Sequence, residues 1–255
     1  MNNTPDKGAE RARTKPSPEY RKDYAEFLEL AAHELDSPLR KLTVQVEKMA
    51  TKYDAGQTAE AQQAFNKVQL GLQQMRTLVD ELYELGQLDT AEFNPATCDT
   101  VALVRQAAGE LTAAARDKHP EITIGELPAV YGDPVQLRQL FSELLKNAIR
   151  FSGGDIRVEI TASELSTADN TFYDLAAGKN YYKLAFSDNG IGLSVADTQR
   201  IFNPFVRLNG RSEYPGNGIG LTICKKIIDN HHGIIYAEPN DNAGARFLLI
   251  LPTKP

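Results

Sequence analysis

The stretch DPVQLRQLFSELLKNAIRFS, residues 133–152, predicts the element around which the fold is built. Apolar residues recur along it every three or four positions, which is the pattern of an amphipathic helix with one buried face. Asp133 stands at the position of an N-cap, and the proline after it suits the first helical turn. Polar side chains share another face, because Glu143 and Asn147 are four residues apart and Arg150 follows. We therefore predict a core helix that presents these three side chains together.

The segments on both sides of this helix predict an α+β domain. EITIGEL, DIRVEITA, NYYKLAFSD, GIIYAEP and ARFLLILP have the composition and alternation of β-strands. TVALVRQAAGEL and GIGLTICKKIIDNHHG have the periodicity of helices. Strands and helices are interleaved without a regular repeat, so we predict an open mixed sheet with helices on one face.

Three groups of residues in this half of the chain point to nucleotide chemistry. Glu143 and Asn147 offer a carboxylate and an amide oxygen, which are hard ligands that Mg²⁺ prefers when phosphates supply the rest. In FSDNGIGL an apolar strand ends in Asp188 and a glycine turn, which lets a planar ligand approach the backbone closely. Each group alone is also compatible with a solvated helix face or an ordinary turn.

The third group is the glycine-rich segment YPGNGIGLTICKKI, which opens a predicted helix. Glycines at a helix start expose backbone N–H groups, and these bind phosphate together with the helix dipole. The spacing is G-x-G-x-G, and no Rossmann-type strand precedes it. The three groups in this order, with IFNPFVRLNGRSEY between the last two, predict a nucleotide-binding site far more strongly than any one of them.

The N-terminal half predicts two long amphipathic helices joined by the break DAGQT at 54–58. Apolar residues from Phe27 to Tyr53 follow one helical stripe, and those from Ala61 to Leu82 follow a heptad seam. The short break favours an antiparallel hairpin. One hairpin leaves much apolar surface uncovered, so we predict a homodimeric four-helix bundle, with cover from residues 93–255 as the alternative.

The first of these helices carries an unusual combination of residues in LAAHELDSPLRKL, residues 30–42. His33 lies about 200° around the helix from Ala31 and Leu35, so it points away from the core. Glu34 can take or orient its ring proton. Pro38 clashes with the carbonyl four residues earlier and bends the helix beside the histidine. The combination predicts a functional histidine, whereas His119, His231 and His232 are predicted to be incidental.

The bulk composition is that of an ordinary globular protein of 255 residues, and it excludes some functions. The net charge of −6 disfavours a general nucleic-acid-binding or membrane-surface protein, which needs a basic face. Cys98 and Cys224 have no metal-ligand spacing, which predicts free thiols in a reducing cytoplasm. No apolar run approaches the roughly 20 residues of a membrane span. The polar residues 1–18 predict a mobile tail or linker remnant.

The motifs closely resemble the kinase core of a two-component sensor histidine kinase. AAHELDSPLR resembles the phospho-acceptor box around His33, and LFSELLKNAIRFS resembles the asparagine box. DNGIGL, IFNPF and GNGIGLTICKKI resemble the first glycine box, the phenylalanine box and the second glycine box. The resemblance spans residues 19–255, and FVRLNGRSEYPGNGIGL is most similar to the kinases attached to PAS or phytochrome sensors.

The resemblance implies a fold and a reaction. The fold is a dimerising, phospho-accepting hairpin at 19–89 followed by a two-layer α/β ATP-binding domain of the Bergerat or GHKL type at 93–255. The reaction is autophosphorylation on His33 from ATP and Mg²⁺, followed by transfer to an aspartate on the receiver domain of a response regulator. A sensor domain would then belong to a longer form of the chain or to a separate partner.

The resemblance also assigns roles to individual residues. Glu34 is implied as the base for His33, and Asp188 as the acceptor for the adenine amino group. The other implied roles are Mg²⁺ ligation by Glu143 and Asn147, the adenine wall at Gly190 and Gly192, the phosphate end at Gly216, Gly218 and Gly220, phosphate contact by Arg150, Arg207 and Arg211, and a mobile lid at 203–216.

Two departures and two alternatives accompany this assignment. Asp36 stands where a basic residue is often found, and Ser37 stands where threonine or asparagine is usual, which puts phosphatase activity in doubt. One alternative is a dimeric phosphotransfer relay or adaptor with weak or no kinase activity. The other is a different ATPase of the same fold, such as a chaperone or topoisomerase fragment, which the histidine hairpin disfavours.

Overall fold

The computed structural model describes residues 18–114, 120–152, 154–166, 169, 172–173, 175, 180–208, 214, 216–240 and 244–254. Except for its last residue, the predicted tail lies outside the described residues, as do His119 and Arg211. The chain divides into two compact units, residues 1–68 and 69–255. The division falls within the second helix, so residues 69–90 of that helix belong to the same unit as the α/β domain.

The N-terminal half forms the predicted helices, α1 (Pro18–Asp54) and α2 (Thr58–Thr90). Lys52 at the end of α1 forms an ion pair with Glu60 at the start of α2, with 2.6 Å between Nζ and Oε2. This pair holds the short connection between the two helices. α1 continues through Pro38 without interruption, and a bend at that residue stays a prediction.

The hairpin helices bury small side chains and leucines but expose a row of larger apolar ones. The buried residues include Ala31, Leu42, Ala61, Ala64 and Leu78. The exposed ones include Leu28, Leu39 and Val46 on α1 and Phe65, Leu72 and Val79 on α2, which are between 40% and 55% exposed. The predicted α2 seam is therefore split, because only part of it is buried within one chain. Ala64 and Leu78 form a second buried row that the heptad pattern did not predict.

The α/β domain contains a five-stranded mixed sheet and a separate two-stranded sheet. The strands are β1 (Ala96–Cys98), β2 (Glu121–Ile124), β3 (Val130–Gly132), β4 (Arg157–Glu164), β5 (Tyr181–Asp188), β6 (Ile234–Pro239) and β7 (Ala245–Pro252). The large sheet has the order β2–β4–β5–β7–β6, and β1 pairs with β3. Only the β2–β4 pair is parallel in the large sheet. The five strands of the large sheet confirm the sequence prediction, whereas β1 and β3 were missed.

The longer helices in the described part of this domain are α3 (Thr100–Ala114), α4 (Pro134–Arg150) and α5 (Gly220–Asn230), and two short 3₁₀-helices lie at Val195–Asp197 and Arg200–Phe202. α4 begins as predicted, because the Asp133 side chain accepts hydrogen bonds from the N–H groups of Val135 and Gln136 at 2.9 and 3.1 Å. Phe141 of α4 stacks on Phe186 of β5, with 5.6 Å between the ring centroids. The apolar face of α4 therefore lies on the sheet, and its polar face is free to line a site.

His231 connects the C-terminal end of α5 to the N-terminal end of α4, although the sequence predicted it to be incidental. Its Nε2 accepts a hydrogen bond from the N–H of Asp133 at 2.9 Å, and its Nδ1 lies 2.7 Å from the carbonyl oxygen of Ile227. The first bond requires an unprotonated Nε2, so the neutral ring carries its proton on Nδ1. Phe93 packs edge-on against the ring at 5.0 Å. The histidine is buried and structural.

Two further sequence expectations concern thiols and membrane spans. Cys98 and Cys224 are buried and unpaired, which confirms the prediction of free thiols. Of the described helices, none has both the length and the hydrophobicity that crossing a membrane requires.

Candidate functional site

A pocket lies beside α4, the end of β5 and the start of α5. The predicted site residues that line it are Asn147, Arg150, Asp188, Gly192, Arg207, Gly216, Gly218 and Gly220. Apolar residues complete the wall, among them Phe151, Ile191, Leu193, Ile201, Val206 and Phe247. The pocket therefore combines an apolar wall with a few polar groups, which is the usual composition of a small-molecule site.

Asp188 is a buried carboxylate fixed in the pocket by backbone donors. Its Oδ1 accepts hydrogen bonds from the N–H groups of Gly190 at 2.9 Å and Ala245 at 3.0 Å. Burial raises the pKa of this carboxyl, and the two N–H bonds oppose the rise. Both bonds end on Oδ1, so within the described residues Oδ2 is left for a ligand. The carboxylate is thus a rigid acceptor.

The polar face of α4 brings together the predicted Mg²⁺ ligands. Glu143 and Asn147 are both less than a tenth exposed. Glu143 pairs with Lys146 at 2.6 Å between Oε1 and Nζ, and its other carboxylate oxygen lies close to Gly220. The amide nitrogen of Asn147 is buried and has no hydrogen-bond partner among the described residues. An unsatisfied buried amide beside a pocket is costly unless a ligand completes it.

The glycine-rich loop before α5 can adopt its conformation only with glycine at its centre. Gly218 has a φ of +78°, and a Cβ there would lie 2.7 Å from the carbonyl oxygen of Val206. Its own carbonyl accepts a hydrogen bond from the N–H of Phe205 at 3.0 Å. A Cβ on Gly216 would lie 2.5 Å from Nη1 of Arg150. The loop therefore touches an arginine on one side and the IFNPF segment on the other.

Comparison with known proteins identifies the family to which this site belongs. Residues 132–255 match the family of histidine kinase-, DNA gyrase B- and HSP90-like ATPases. The phytochrome-like protein Cph1 of Synechocystis sp. is 31% identical over 231 residues, which cover 90% of this chain and 29% of that protein. The chain has a GHKL-type histidine kinase core.

Two solved structures of kinases support the fold of this core. The histidine kinase ThkA, in complex with the response regulator protein TrrA, has a TM-score of 0.66 at 18% identity, covering 92% of this chain and 63% of that one. Full-length ShkA in complex with AMPPNP has a TM-score of 0.57 at 24% identity, covering 76% and 39%. The chain thus spans less than two thirds of the length of each of these relatives.

The predicted acceptor of the kinase core lies on α1, in the other compact unit. His33 is exposed, as its position on the helix predicted, and Glu34 is partly exposed. Asp36, which replaces a basic residue of the family pattern, accepts a hydrogen bond from Nε of Arg40 at 2.6 Å. This bond lowers the pKa of the Asp36 carboxyl. Arg40 thus partly neutralises the charge of Asp36, which lies three residues after the histidine.

The predicted lid of the kinase core, residues 203–216, is described at 203–208, 214 and 216. Arg207 lines the pocket and donates a hydrogen bond from Nη2 to the carbonyl oxygen of Tyr214 at 2.9 Å. Tyr214 also lines the pocket, and its ring lies 5.3 Å from that of Phe151. The second predicted lid arginine, Arg211, lies outside the described residues. The described lid residues therefore close one side of the pocket with an arginine and an aromatic ring.

The sequence did not indicate two parts of the kinase pocket. The N–H of Ala245 holds Asp188 across 57 residues of sequence, and Gly244 makes this approach possible. Gly244 has a φ of +91°, and a Cβ there would lie 2.0 Å from the carbonyl oxygen of Asp188. The sequence did contain one signal for this contact. In NAGARFLL a glycine stands directly before a predicted strand, and a glycine at such a position often marks a close approach of two backbone segments.

Proposed function

We propose that this chain is the kinase core of an ATP-dependent protein-histidine kinase, which phosphorylates its own His33 and passes the phosphoryl group to an aspartate of a response regulator. The observation that carries the proposal is the fixed carboxylate of Asp188 in an otherwise largely apolar pocket. Its free oxygen is an acceptor suited to the exocyclic amino group of adenine. Guanine presents a carbonyl at that place, so GTP is expected to bind poorly.

The phosphates of ATP would lie at the opposite end of the pocket, along the glycine-rich loop. Gly216, Gly218 and Gly220 line the pocket, and α5 begins at Gly220, where the N–H groups of its first turn and the positive end of its dipole could bind phosphate oxygens. Arg150 touches the same loop and can bind phosphate oxygens through two parallel hydrogen bonds. Arg207 adds a positive charge on the lid side.

The residues of α4 fit a magnesium ion that is shared with the phosphates. Glu143 and Asn147 lie one helical turn apart and offer a carboxylate and an amide oxygen as hard ligands. The amide nitrogen of Asn147, which lacks a partner among the described residues, could donate a hydrogen bond to a phosphate oxygen. No group of three or more His, Cys, Asp or Glu side chains in the described part of the chain could hold a metal. An ion held by these two residues would therefore depend on phosphate oxygens, as Mg²⁺ commonly does. It would neutralise charge on the transferred group.

The transfer step forms a bond between a ring nitrogen of His33 and the γ-phosphorus as the bond from that phosphorus to the β–γ bridging oxygen breaks, releasing ADP. A neutral imidazole supplies the electron pair for the new bond, and Glu34 takes or orients the proton on the other ring nitrogen. A second step moves the phosphoryl group from His33 to the carboxylate of the regulator. Positioning and charge neutralisation supply most of the acceleration in phosphoryl transfer.

Dimerisation through the hairpin is part of the proposal. The apolar side chains exposed on α1 and α2, including Leu39, Phe65 and Leu72, would be covered by the same surface of a second chain in a four-helix bundle. The complex of ThkA with the response regulator protein TrrA supports a response regulator as the second partner. The chain spans 29% of the length of Cph1, so the proposal concerns the kinase core alone.

The test is incubation with γ-labelled ATP and Mg²⁺, followed by mapping of the labelled residue. The wild-type chain should carry a label that survives base and is lost in acid, which is the behaviour of a phosphohistidine. His33→Gln should abolish the label and keep ATP binding, because the nucleotide site belongs to the other unit. His232 is also exposed, so His232→Gln is the matched control and should label normally.

The outcomes also separate the alternatives. A relay or adaptor would accept phosphate at His33 only from a phosphorylated regulator and never from ATP. An unrelated ATPase of the same fold would hydrolyse ATP equally well with His33→Gln. Acid-stable label on serine or threonine, or full labelling of His33→Gln, would contradict the kinase proposal.

A further inference from the structure

The last turns of α2 contact the α/β domain through three acidic side chains and one backbone carbonyl. All of these contacts lie within the compact unit 69–255. They are Glu81 Oε2 to Asn217 Nδ2 at 3.0 Å, Glu84 Oε2 to Gln139 Nε2 at 3.0 Å, the Leu88 carbonyl oxygen to Asn230 Nδ2 at 3.0 Å, and the ion pair of Asp89 with Lys226. The α2 positions 81, 84 and 88 recur every three or four residues, so they form one helical stripe.

Glu81 differs from the others because its partner, Asn217, belongs to the glycine-rich loop beside the pocket. Asn217 lies between Gly216 and Gly218, and both of these glycines line the pocket. The glycine-rich loop that is suited to phosphate is thus already bound to a carboxylate. Glu84, Leu88 and Asp89 contact α4 and α5 away from that loop.

The charges around Glu81 are the same ones that a phosphate would meet. Burial raises the pKa of the Glu81 carboxyl, the bond from Asn217 lowers it, the negative charge of Glu143 raises it, and the positive charge of Arg150 lowers it. Glu143 and Arg150 are therefore near enough for their charges to act on Glu81. A triphosphate at this loop would add further negative charge beside that carboxylate.

We propose that Glu81 is an internal anion that holds the glycine-rich loop until a nucleotide arrives, so that docking of the end of α2 and binding of the triphosphate compete. The inference rests on the proposed ATP site. It makes the Glu81–Asn217 hydrogen bond an autoinhibitory contact. ATP breaks the contact by offering phosphate oxygens to the loop, and the end of α2 is then released from the catalytic domain.

Competition of this kind has a measurable consequence for affinity. If only the released state accepts the triphosphate, the apparent Kd is the intrinsic Kd divided by the released fraction. Removing the charge of Glu81 raises that fraction and also removes repulsion of the phosphates. Adenosine lacks phosphates, so its affinity should not depend on Glu81.

The experiment compares Glu81→Gln with Asp80→Asn in the full chain. Asp80 is the neighbouring acid on α2, it is exposed, and its replacement changes the net charge equally. Calorimetry with Mg²⁺–ATP should show binding about threefold to tenfold tighter for Glu81→Gln than for either wild type or Asp80→Asn. Binding of adenosine should be equal in all three proteins. In an Asn217→Ala background, Glu81→Gln should have a smaller effect, since the contact is already absent and only the repulsion of the phosphates is removed.

Hydrogen exchange gives a second, independent measurement. Amides at the end of α2, residues 81–90, should exchange faster in wild type when Mg²⁺–ATP is added, and adenosine should not cause this change. Equal ATP affinity of Glu81→Gln and wild type would overturn the inference. Weaker ATP binding by Glu81→Gln would also overturn it, because Glu81 would then contribute to nucleotide binding. Failure of every protein, including wild type, to bind ATP would instead contradict the proposed function.

Discussion

Replacing Asp188 by asparagine tests the adenine site with a change of one atom. In the wild type, Oδ1 is held by the N–H groups of Gly190 and Ala245 at 2.9 and 3.0 Å. An asparagine can keep both bonds only by placing its oxygen at that position. Its NH₂ group then faces the pocket, where Asp188 offered an acceptor. A ligand amino group would lose a hydrogen bond and meet a donor in its place.

The expected cost follows from that geometry. A lost acceptor together with a stranded donor costs about 1–3 kcal/mol, which corresponds to roughly a 5- to 150-fold increase in the Kd for ATP. The opposite amide orientation would turn the NH₂ group toward two N–H donors, so it offers no relief. Asp229→Asn is the control, because Asp229 is an exposed acid on α5 that pairs with Lys225 and its replacement changes the charge equally.

Calorimetry of ATP and GTP with wild type, Asp188→Asn and Asp229→Asn measures the effect. Wild type and Asp229→Asn should prefer ATP strongly over GTP, and Asp188→Asn should lose most of that preference. Circular dichroism of each protein would show whether the fold is kept. An Asp188→Asn protein with wild-type ATP affinity, or a wild type that binds GTP as tightly as ATP, would refute the assignment.

Three further predictions concern the dimer, the loop and pH. Leu72→Glu should give monomers in light scattering, because an unpaired carboxylate in a bundle seam costs several kcal/mol, roughly 3 or more, whereas Gln74→Glu should leave the dimer intact. Gly218→Ala should abolish ATP binding in calorimetry, since φ +78° and a contact of 2.7 Å exclude a Cβ, whereas Gly109→Ala should not. Burial lowers the pKa of His231 in the folded protein, so as the pH falls the unfolded protein takes up a proton at this residue before the folded protein does. The urea midpoint of unfolding should therefore fall as pH drops below about 6.5. His231→Gln should flatten that fall.

Much of the fold could be predicted because its signals are local. The N-cap of α4 needs only Asp133 and the proline after it. The five strands of the main sheet each have enough residues to show composition or alternation. β1 and β3 have three residues each, which is too short for any period to appear. Their pairing depends on tertiary contacts that a local pattern does not contain.

The site divides in the same way between local and distant signals. The glycine turns after Asp188 and before α5 could be recognised because each glycine pattern is adjacent in sequence to its strand or helix. The bond from Ala245 to Asp188 joins residues 57 apart, and that from Asn217 to Glu81 joins residues 136 apart. In the sequence, Glu81 is one of several acidic residues on a helix, and no local pattern indicates that Asn217 is its partner.

The pocket can be located from physical grounds that are independent of the family. Phe205 has a φ of +63°, a backbone conformation that costs an L residue about 1–2 kcal/mol. Asn147 keeps a buried amide without a partner among the described residues, and burial raises the pKa of the Asp188 carboxyl. Asp188 and Asn147 line the same pocket, and Phe205 contacts its loop at Gly218. Unfavourable local features that gather at one pocket are expected where a ligand, when bound, compensates for them.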